Sequence, residues 1–175
     1  MTARTILKLG DPLLYEVCLP VAPDELPALR PTIGDMWDTV TAYRVEHGVG
    51  RAIAAPQIGL HKRIVFLERV SNADDANNAG ITTPTPLINP VLSNFSDELV
   101  ELWDDCFSFP GLLVRVRRHA GCDLTYRDLS WDEHTVRLDG DLSELLQHEC
   151  DHLDGVLAVS RAIDGRSFAF RDQLR

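Results

Sequence analysis

The clearest helical pattern in the chain runs from Thr32 to His47. Its apolar residues recur at spacings of three and four positions: Ile33, Met36, Trp37, Val40 and Tyr43. Residues at this spacing share one face of an α-helix, so the segment is predicted to form an amphipathic helix. Pro23, Pro27 and Pro31 precede it. Because proline suits the first turn of a helix, these residues mark where the helix can begin.

Short strand-like segments alternate with turn signals through the middle of the chain: Arg63–Val70, Leu87–Leu92, Glu98–Trp103, Leu112–Val116, Cys122–Tyr126 and His134–Leu138. The segment Ser71–Pro86 contains almost no large apolar side chain and is rich in Asn, Asp, Thr and Pro. This composition predicts a polar surface loop that is long for a compact domain.

A second helix is predicted after these strands. Asp141-Leu-Ser-Glu144 has the form of a capping box, in which an acidic residue at the helix start is followed three positions later by glutamate. Gly155 suits the left-handed residue that follows a helix end. The residues beyond it, 156–175, are predicted to be a short tail with a frayed terminus.

Because most strands precede the second helix, the pattern favours an α+β fold. We expect antiparallel or mixed sheets packed around the C-terminal helix, in one domain that spans residues 1–175.

Charge narrows the range of functions. Seventeen Lys and Arg residues against 27 Asp and Glu residues give a net charge of −10. A broad phosphate-binding surface needs clustered cations, so nucleic acid and anionic membranes are poor candidate partners. No secretory signal or apolar membrane span is evident, and the four cysteines lack the spacing of a disulfide framework. We therefore expect a cytoplasmic protein whose cysteines are reduced thiols or metal ligands.

The second helix carries the most specific motif, His148-Glu-Cys-Asp-His152. Residues four apart lie on one helix face, so His148 and His152 can reach the same ion. Glu149 projects beside that ion and can act as a general base. An exposed surface helix is the alternative interpretation, but the apolar face of this helix favours a metal site.

A catalytic site of this type needs a third protein ligand. No Glu or His follows His152, so Asp164 or Asp172 would have to serve from that side. Upstream, Cys106 follows a predicted strand and has polar neighbours, although a single cysteine is often only a small buried residue. From the residues alone both possibilities stay open, and Asp164 would make the chain a metalloprotease.

Three segments occur in an order that resembles the peptide deformylase family: Ala54-Ala-Pro-Gln57, Asp104-Asp-Cys-Phe-Ser108 and His148-Glu-Cys-Asp-His-Leu-Asp-Gly155. The resemblance extends from about residue 5 to about residue 163. The third segment matches the family motif at every defined position, and the other two match in part.

The resemblance implies a metal-dependent enzyme that hydrolyses the formyl group from N-formylmethionyl peptides and releases formate. Cys106, His148 and His152 would hold one divalent ion, with Fe(II) favoured and Zn, Ni or Co able to substitute. Glu149 would be the general base, and the Gln57 amide and the Phe107 backbone N–H would stabilise the oxyanion. Formylated chains imply a bacterial or organellar cytosol, and because no transit peptide is evident the bacterial cytoplasm is expected. We expect a monomer that acts on nascent chains at the ribosome.

Substrate contacts are expected from residues around these motifs. The backbone of Ile53 would pair with a peptide lying as an added strand, and Gly50 would allow its close approach. Asp105 replaces the family's glycine before the cysteine, and Leu113 stands where many members carry arginine. In the first motif, either Ala52 replaces a second glycine, or Gly48 and Gly50 match both glycines with two residues inserted. These departures together predict intact chemistry with altered substrate choice. The alternative is a deformylase-like binding protein without activity.

Further support for the metal ligands is expected from carboxylates, because ligating histidines usually donate their second N–H to a carboxylate or carbonyl. Asp104 and Asp151 are the candidates, and Arg115, Arg117 and Arg118 could neutralise them. A solvated basic strand edge is the alternative interpretation of these arginines.

Overall fold

A computed structural model describes residues 2–68 and 80–174 of the chain. Its helices are α1 (Leu26–His47) and α2 (Gly140–Leu153). Its strands are β1 (Ala52–Ala54), β2 (Ile64–Leu67), β3 (Thr85–Ser93), β4 (Leu99–Asp105), β5 (Leu112–His119), β6 (Gly121–Arg127), β7 (Glu133–Asp139) and β8 (Phe168–Phe170). No helix in these ranges is long and apolar enough to cross a bilayer.

The strands form two antiparallel sheets. One has five strands in the order β1-β2-β3-β6-β7, and the other has three in the order β4-β5-β8. Helix α2 contacts strands of both sheets. This architecture confirms the predicted α+β fold, with antiparallel sheets around the C-terminal helix.

Helix α1 begins earlier than the pattern predicts, at Leu26 rather than Thr32. Pro27 lies in its first turn, where the backbone N–H groups have no partner within the helix in any case. Pro31 lies inside the helix, so it removes one backbone hydrogen bond. The apolar face packs on β1 and β2 through Ile33, Met36 and Val40, and this packing extends the helix through both prolines.

The predicted start of α2 is wrong by two residues. Asp139 is the N-cap and forms no side-chain cap, so Asp141 and Glu144 do not make the expected capping box. Glu144 instead forms an ion pair with Arg51 from the loop before β1. The predicted helix end is confirmed: Gly155 has φ +70°, and a Cβ there would lie 2.5 Å from the Tyr15 carbonyl oxygen.

Strand patterns located β2 to β7 to within a few residues but missed β1 and β8. The tail is not the frayed terminus expected, because Phe168–Phe170 pairs with β5 and residues 158–161 form a turn of 3-10 helix. Residues 71–79 of the predicted polar loop lie outside the described residues. Of the remainder, Ile81 is buried and Thr85 and Pro86 belong to β3, so β3 begins two residues before the predicted end of the loop.

The cores hold α2 in place between the sheets. One cluster joins the five-stranded sheet to the leucines of α2, including Leu142, Leu145, Leu146 and Leu153. A second lies between α1 and strands β1 and β2, and a third lies under the three-stranded sheet. Because its apolar positions face these cores, α2 is buried on nearly all sides, together with the polar side chains it carries.

Candidate metal centre

Cys106, His148 and His152 form a buried cluster. Their potential ligand atoms all lie within 4.8 Å of one another, and Cys106 Sγ is 3.2 Å from His152 Nε2. Asp164 is not part of this cluster. Its carboxylate accepts hydrogen bonds from the Arg166 N–H and the Ser167 hydroxyl in a turn of the tail. The structure therefore favours the thiol over the aspartate as the third ligand.

Cys106 is positioned by a turn at the end of β4. Its carbonyl accepts a hydrogen bond from the Phe109 N–H at 3.1 Å. Its sulfur faces two donors, the Ser108 N–H at 3.4 Å and Gln57 Nε2 at 3.5 Å. Donors aimed at the sulfur stabilise a thiolate, which is the form that binds metal ions.

A chain of charges supports His148 from behind. His148 Nδ1 lies 2.9 Å from Asp104 Oδ1, and the other Asp104 oxygen accepts a hydrogen bond from Arg118 Nη2 at 2.7 Å. Arg118 also donates to Asp151, which in turn binds Arg161. Carboxylates that contact a metal-binding histidine fix its orientation and tautomer. Arg118 thus has the role expected for one of three arginines, whereas Arg117 pairs with exposed Glu101.

Burial and charge shift the pKa values of the two imidazoles in opposite directions. Burial disfavours a charged His148 ring, but the adjacent Asp104 carboxylate outweighs this effect and raises the pKa of His148 well above its ordinary value. Burial together with the charge on His148 lowers the pKa of His152 well below its ordinary value. The His152 ring, whose Nε2 faces Cys106, is therefore neutral, which is the form that metal ions require.

Glu149 is the buried carboxylate next to this cluster. Only 4% of the residue is exposed, and its Oε2 atom has no hydrogen-bond partner among the described residues. Burial raises the pKa of Glu149 to about 7. An unpartnered carboxylate with a pKa near neutrality is suited to general acid–base catalysis.

Two donors face the same space from other segments. Gln57 Oε1 accepts a hydrogen bond from the Ala54 N–H at 2.9 Å, which leaves Nε2 directed toward Cys106 and the Ser108 hydroxyl. The Phe107 N–H donates to no acceptor in residues 2–68 and 80–174. The arrangement brings Gln57 and Phe107 to the centre, as the resemblance implies.

A cleft of about 380 Å³ opens onto the cluster. Of the predicted substrate residues, Gly50 and Asp105 line it, as does Ala52. Gly50 has φ +133°, and an added Cβ would lie 2.9 Å from the Phe107 ring, so any side chain there is strained. The structure does not bring Leu113 into the lining, because its side chain is buried beneath β5.

Ile53 is placed differently from the other substrate residues. Its side chain is fully buried against α1 and does not line the cleft. Its strand, β1, lies at the edge of the five-stranded sheet and pairs only with β2 in the described residues. The expected role of Ile53 concerns its backbone, but the register of β1 on β2 turns that backbone toward Phe66, because Arg51, two residues earlier, accepts from the Glu68 N–H. The open edge of the strand therefore presents the backbone of Ala52.

Sequence reasoning missed the ion pairs around the cleft mouth. Arg51 pairs with Glu144 at 3.2 Å, and Arg171 of the tail pairs with Asp105. The alternating Phe168-Ala-Phe170 pattern was the signal that could have placed the tail in a sheet and Arg171 beside the site.

The residues present fit a divalent metal ion. One thiolate and two imidazoles form a borderline-soft donor set that suits Fe(II), Zn, Ni or Co. All three side chains are buried together beside an unpartnered carboxylate and next to an open cleft. A structural zinc site has four protein ligands, whereas three ligands beside a cleft are typical of a catalytic site.

This fold and this site define a metal-dependent hydrolase. A model of the family described as Polypeptide deformylase matches residues 3–167. The chain therefore belongs to the polypeptide deformylase family, whose members hydrolyse an amide bond to remove the N-formyl group from nascent peptides.

Individual relatives agree with this assignment. The chain is 38% identical to peptide deformylase 1 of Prochlorococcus marinus, over 99% of this chain and 88% of that protein. It is similar to the crystal structure of Ehrlichia chaffeensis peptide deformylase in complex with actinonin, with TM-score 0.80, 29% identity and coverage of 92% and 89%. It is also similar to the Met-Ala-Ser-bound deformylase of Acinetobacter baumannii, with TM-score 0.76, 26% identity and coverage of 91% and 98%.

Proposed function

We propose that this chain removes formyl from N-formylmethionyl peptides with Cys106, His148 and His152 as the ligands of one divalent ion. The observation that carries the proposal is the convergence of these three side chains within 4.8 Å, beside Glu149 and at the floor of a cleft. When bound, the ion would polarise the formyl carbonyl and acidify a water molecule.

The protein groups around the ion have separate tasks in this proposal. Glu149 accepts a proton from the attacking water and delivers it to the departing amine, which its pKa near 7 permits in both directions. The Gln57 amide and the Phe107 N–H donate to the oxygen that becomes negative as the carbonyl is attacked. Asp104, held by Arg118, keeps the His148 ring in position.

The peptide is proposed to lie along β1. Its backbone would pair with the open edge of this strand at Ala52, next to Ile53, while Gly50 allows the chain to pass close to the protein. The related Acinetobacter baumannii deformylase has been crystallised with Met-Ala-Ser bound, which is the sequence of a deformylated product. Asp105 stands at the cleft mouth, and the buried Leu113 supports the strand beneath it.

Fe(II) is the ion we propose, with Zn, Ni and Co as functional substitutes. The thiolate and imidazole donors argue against Mg and Ca, because these hard ions prefer carboxylate-rich sites. The preference for Fe(II) comes from the family resemblance.

The proposed setting is the bacterial cytoplasm, where the chain acts as a monomer on nascent chains at the ribosome. The relatives named above from Prochlorococcus, Ehrlichia and Acinetobacter are bacterial proteins. The net charge of −10 disfavours direct binding of the chain to RNA, so delivery of the substrate would depend on the peptide itself.

Formate release tests the proposed function directly. The protein, purified without oxygen, is incubated with formyl-Met-Ala-Ser and with acetyl-Met-Ala-Ser. We expect formate from the first peptide and no acetate from the second. Hydrolysis of internal peptide bonds without formate release would instead indicate a metalloprotease.

A further inference from the structure

An ion pair between distant segments stands in the wall of the cleft. Asp105 is the last residue of β4, and its Oδ2 atom accepts a hydrogen bond from Arg171 Nη2. Strand β5 lies between them, with Leu113 paired to Asp105 on one side and to Ala169 on the other. Arg171 begins the turn of 3-10 helix that directly follows β8, and from there its side chain reaches Asp105.

Backbone contacts fix the position of Arg171. Its N–H donates to the Gly111 carbonyl at 2.8 Å, which continues the pairing of β8 with β5. Substitution of the side chain therefore leaves the attachment of the tail intact.

The pair is half-exposed and its hydrogen-bonding capacity is only partly used. The side chains of Arg171 and Asp105 are 52% and 49% exposed. Nε and Nη1 of Arg171 and Oδ1 of Asp105 have no partner in the part of the chain that the structure describes. Both residues thus retain groups that can contact a ligand.

The pair also lines two cavities. Arg171 and Asp105 border the catalytic cleft and a neighbouring cavity of about 240 Å³ that extends past Tyr43 and His47. The two cavities share Val49, Cys106 and Phe107 as well. A ligand in either cavity can therefore contact the pair.

We propose that the Asp105–Arg171 pair sets the charge preference of this enzyme for the residues that follow formylmethionine. While joined, the two charges cancel, and the cleft accepts peptides with either acidic or basic residues. Removal of one charge leaves the other to select peptides of opposite charge. Arg171 is thus a specificity-determining residue supplied by the tail, and this inference rests on the proposed function.

The test compares formyl-Met-Lys-Ser with formyl-Met-Glu-Ser, both amidated at the C-terminus so that only the side-chain charge differs. The readout is the ratio of kcat/KM for the Lys peptide to that for the Glu peptide. We expect Arg171→Gln to raise this ratio about fivefold and Asp105→Asn to lower it about fivefold, the size of effect that exposed charge pairs produce. The double variant should return to within about twofold of wild type, and salt should weaken both shifts.

Arg117→Gln is the matched control. Arg117 lies on β5, is 56% exposed and pairs with Glu101 at 2.9 Å, but it does not line the catalytic cleft. In Arg117→Gln the kcat/KM ratio of the two peptides should equal that of wild type. Loss of folding cannot shift the kcat/KM ratio in opposite directions in the two single variants. Each variant also tests the inference alone, because the direction of its shift is predicted.

Two outcomes overturn the inference. If wild type releases formate normally but the kcat/KM ratio is unchanged in Arg171→Gln and Asp105→Asn, the inference is overturned and the proposed function stands. Absence of formate release by wild type would overturn the proposed function and the inference with it.

Discussion

The centre and the rim of this site are built in contrasting ways. At the centre Cys106, His148 and His152 are buried, and Asp104 and Arg118 behind them are buried as well. At the rim Asp105 and Arg171 are half-exposed. The centre can therefore hold groups in fixed positions at low dielectric, whereas the rim acts through charges that water and salt weaken. From this difference we expect that substitutions at the centre change the chemistry and substitutions at the rim change substrate choice.

The largest effect is expected from the centre, for Glu149→Gln. The variant keeps the size of the side chain but removes its ability to accept a proton, so kcat should fall by about 10²–10⁴. Formate release measures the loss. Glu144→Gln, on the same helix but at the rim, should stay within about tenfold of wild type because its pair with Arg51 is partly exposed. A similar fall in kcat in both variants would mean that the centre and the rim do not differ in their importance for the chemistry.

Neighbouring arginines on β5 give the next comparison. Arg118→Met removes a buried guanidinium from Asp104 and Asp151, which should cost about 3–5 kcal/mol of unfolding free energy because two buried carboxylates each lose a charge partner. Arg117→Met removes only an exposed pair with Glu101 and should cost at most about 1 kcal/mol. Urea denaturation measures both values. Equal costs would mean that the buried network does not support the centre.

Gln57→Ala tests the donor that faces the sulfur. If its amide stabilises the developing oxyanion, kcat should fall by about 10²–10³ with little change in KM. Ser108→Ala removes the hydroxyl that Gln57 contacts at 3.3 Å but keeps the amide, so its loss should be smaller. A fall in kcat/KM that comes entirely from KM would assign Gln57 to substrate binding instead.

The same contrast explains what could be predicted from the sequence. His148 and His152 follow from helical periodicity alone, and the α+β class follows from the order of strand and helix patterns. The choice of Cys106 over Asp164 did not follow from the residues, because it depends on where β4 ends relative to α2. Family resemblance supplied that choice, and the cluster of potential ligand atoms agrees with it.

The rim and the helix boundaries show where sequence patterns fail. Glu144 matches a capping box, yet it pairs with Arg51 because tertiary packing places the two side chains across the cleft. The tail contains four arginines and looked like a free terminus, but pairing of Phe168–Phe170 with β5 brings Arg171 to Asp105. Such contacts join segments far apart in sequence, so a local pattern can indicate the strand at Phe168–Phe170 but not the partners of Arg171 and Glu144. Asp105 was expected to alter substrate choice, and the structure adds a charge partner for it in Arg171.

Metal content of two matched cysteine variants tests the central claim most directly. Cys106 and Cys150 are both buried, but burial raises the pKa of Cys150 well above its ordinary value, and Cys150 is not in the metal cluster. Proteins purified anaerobically should contain about one equivalent of divalent metal in the wild type and in Cys150→Ala. Cys106→Ala should retain less than about a tenth of an equivalent, since loss of a direct ligand should exceed the 10- to 100-fold weakening caused by loss of a supporting residue. A full equivalent of metal in Cys106→Ala would contradict the account.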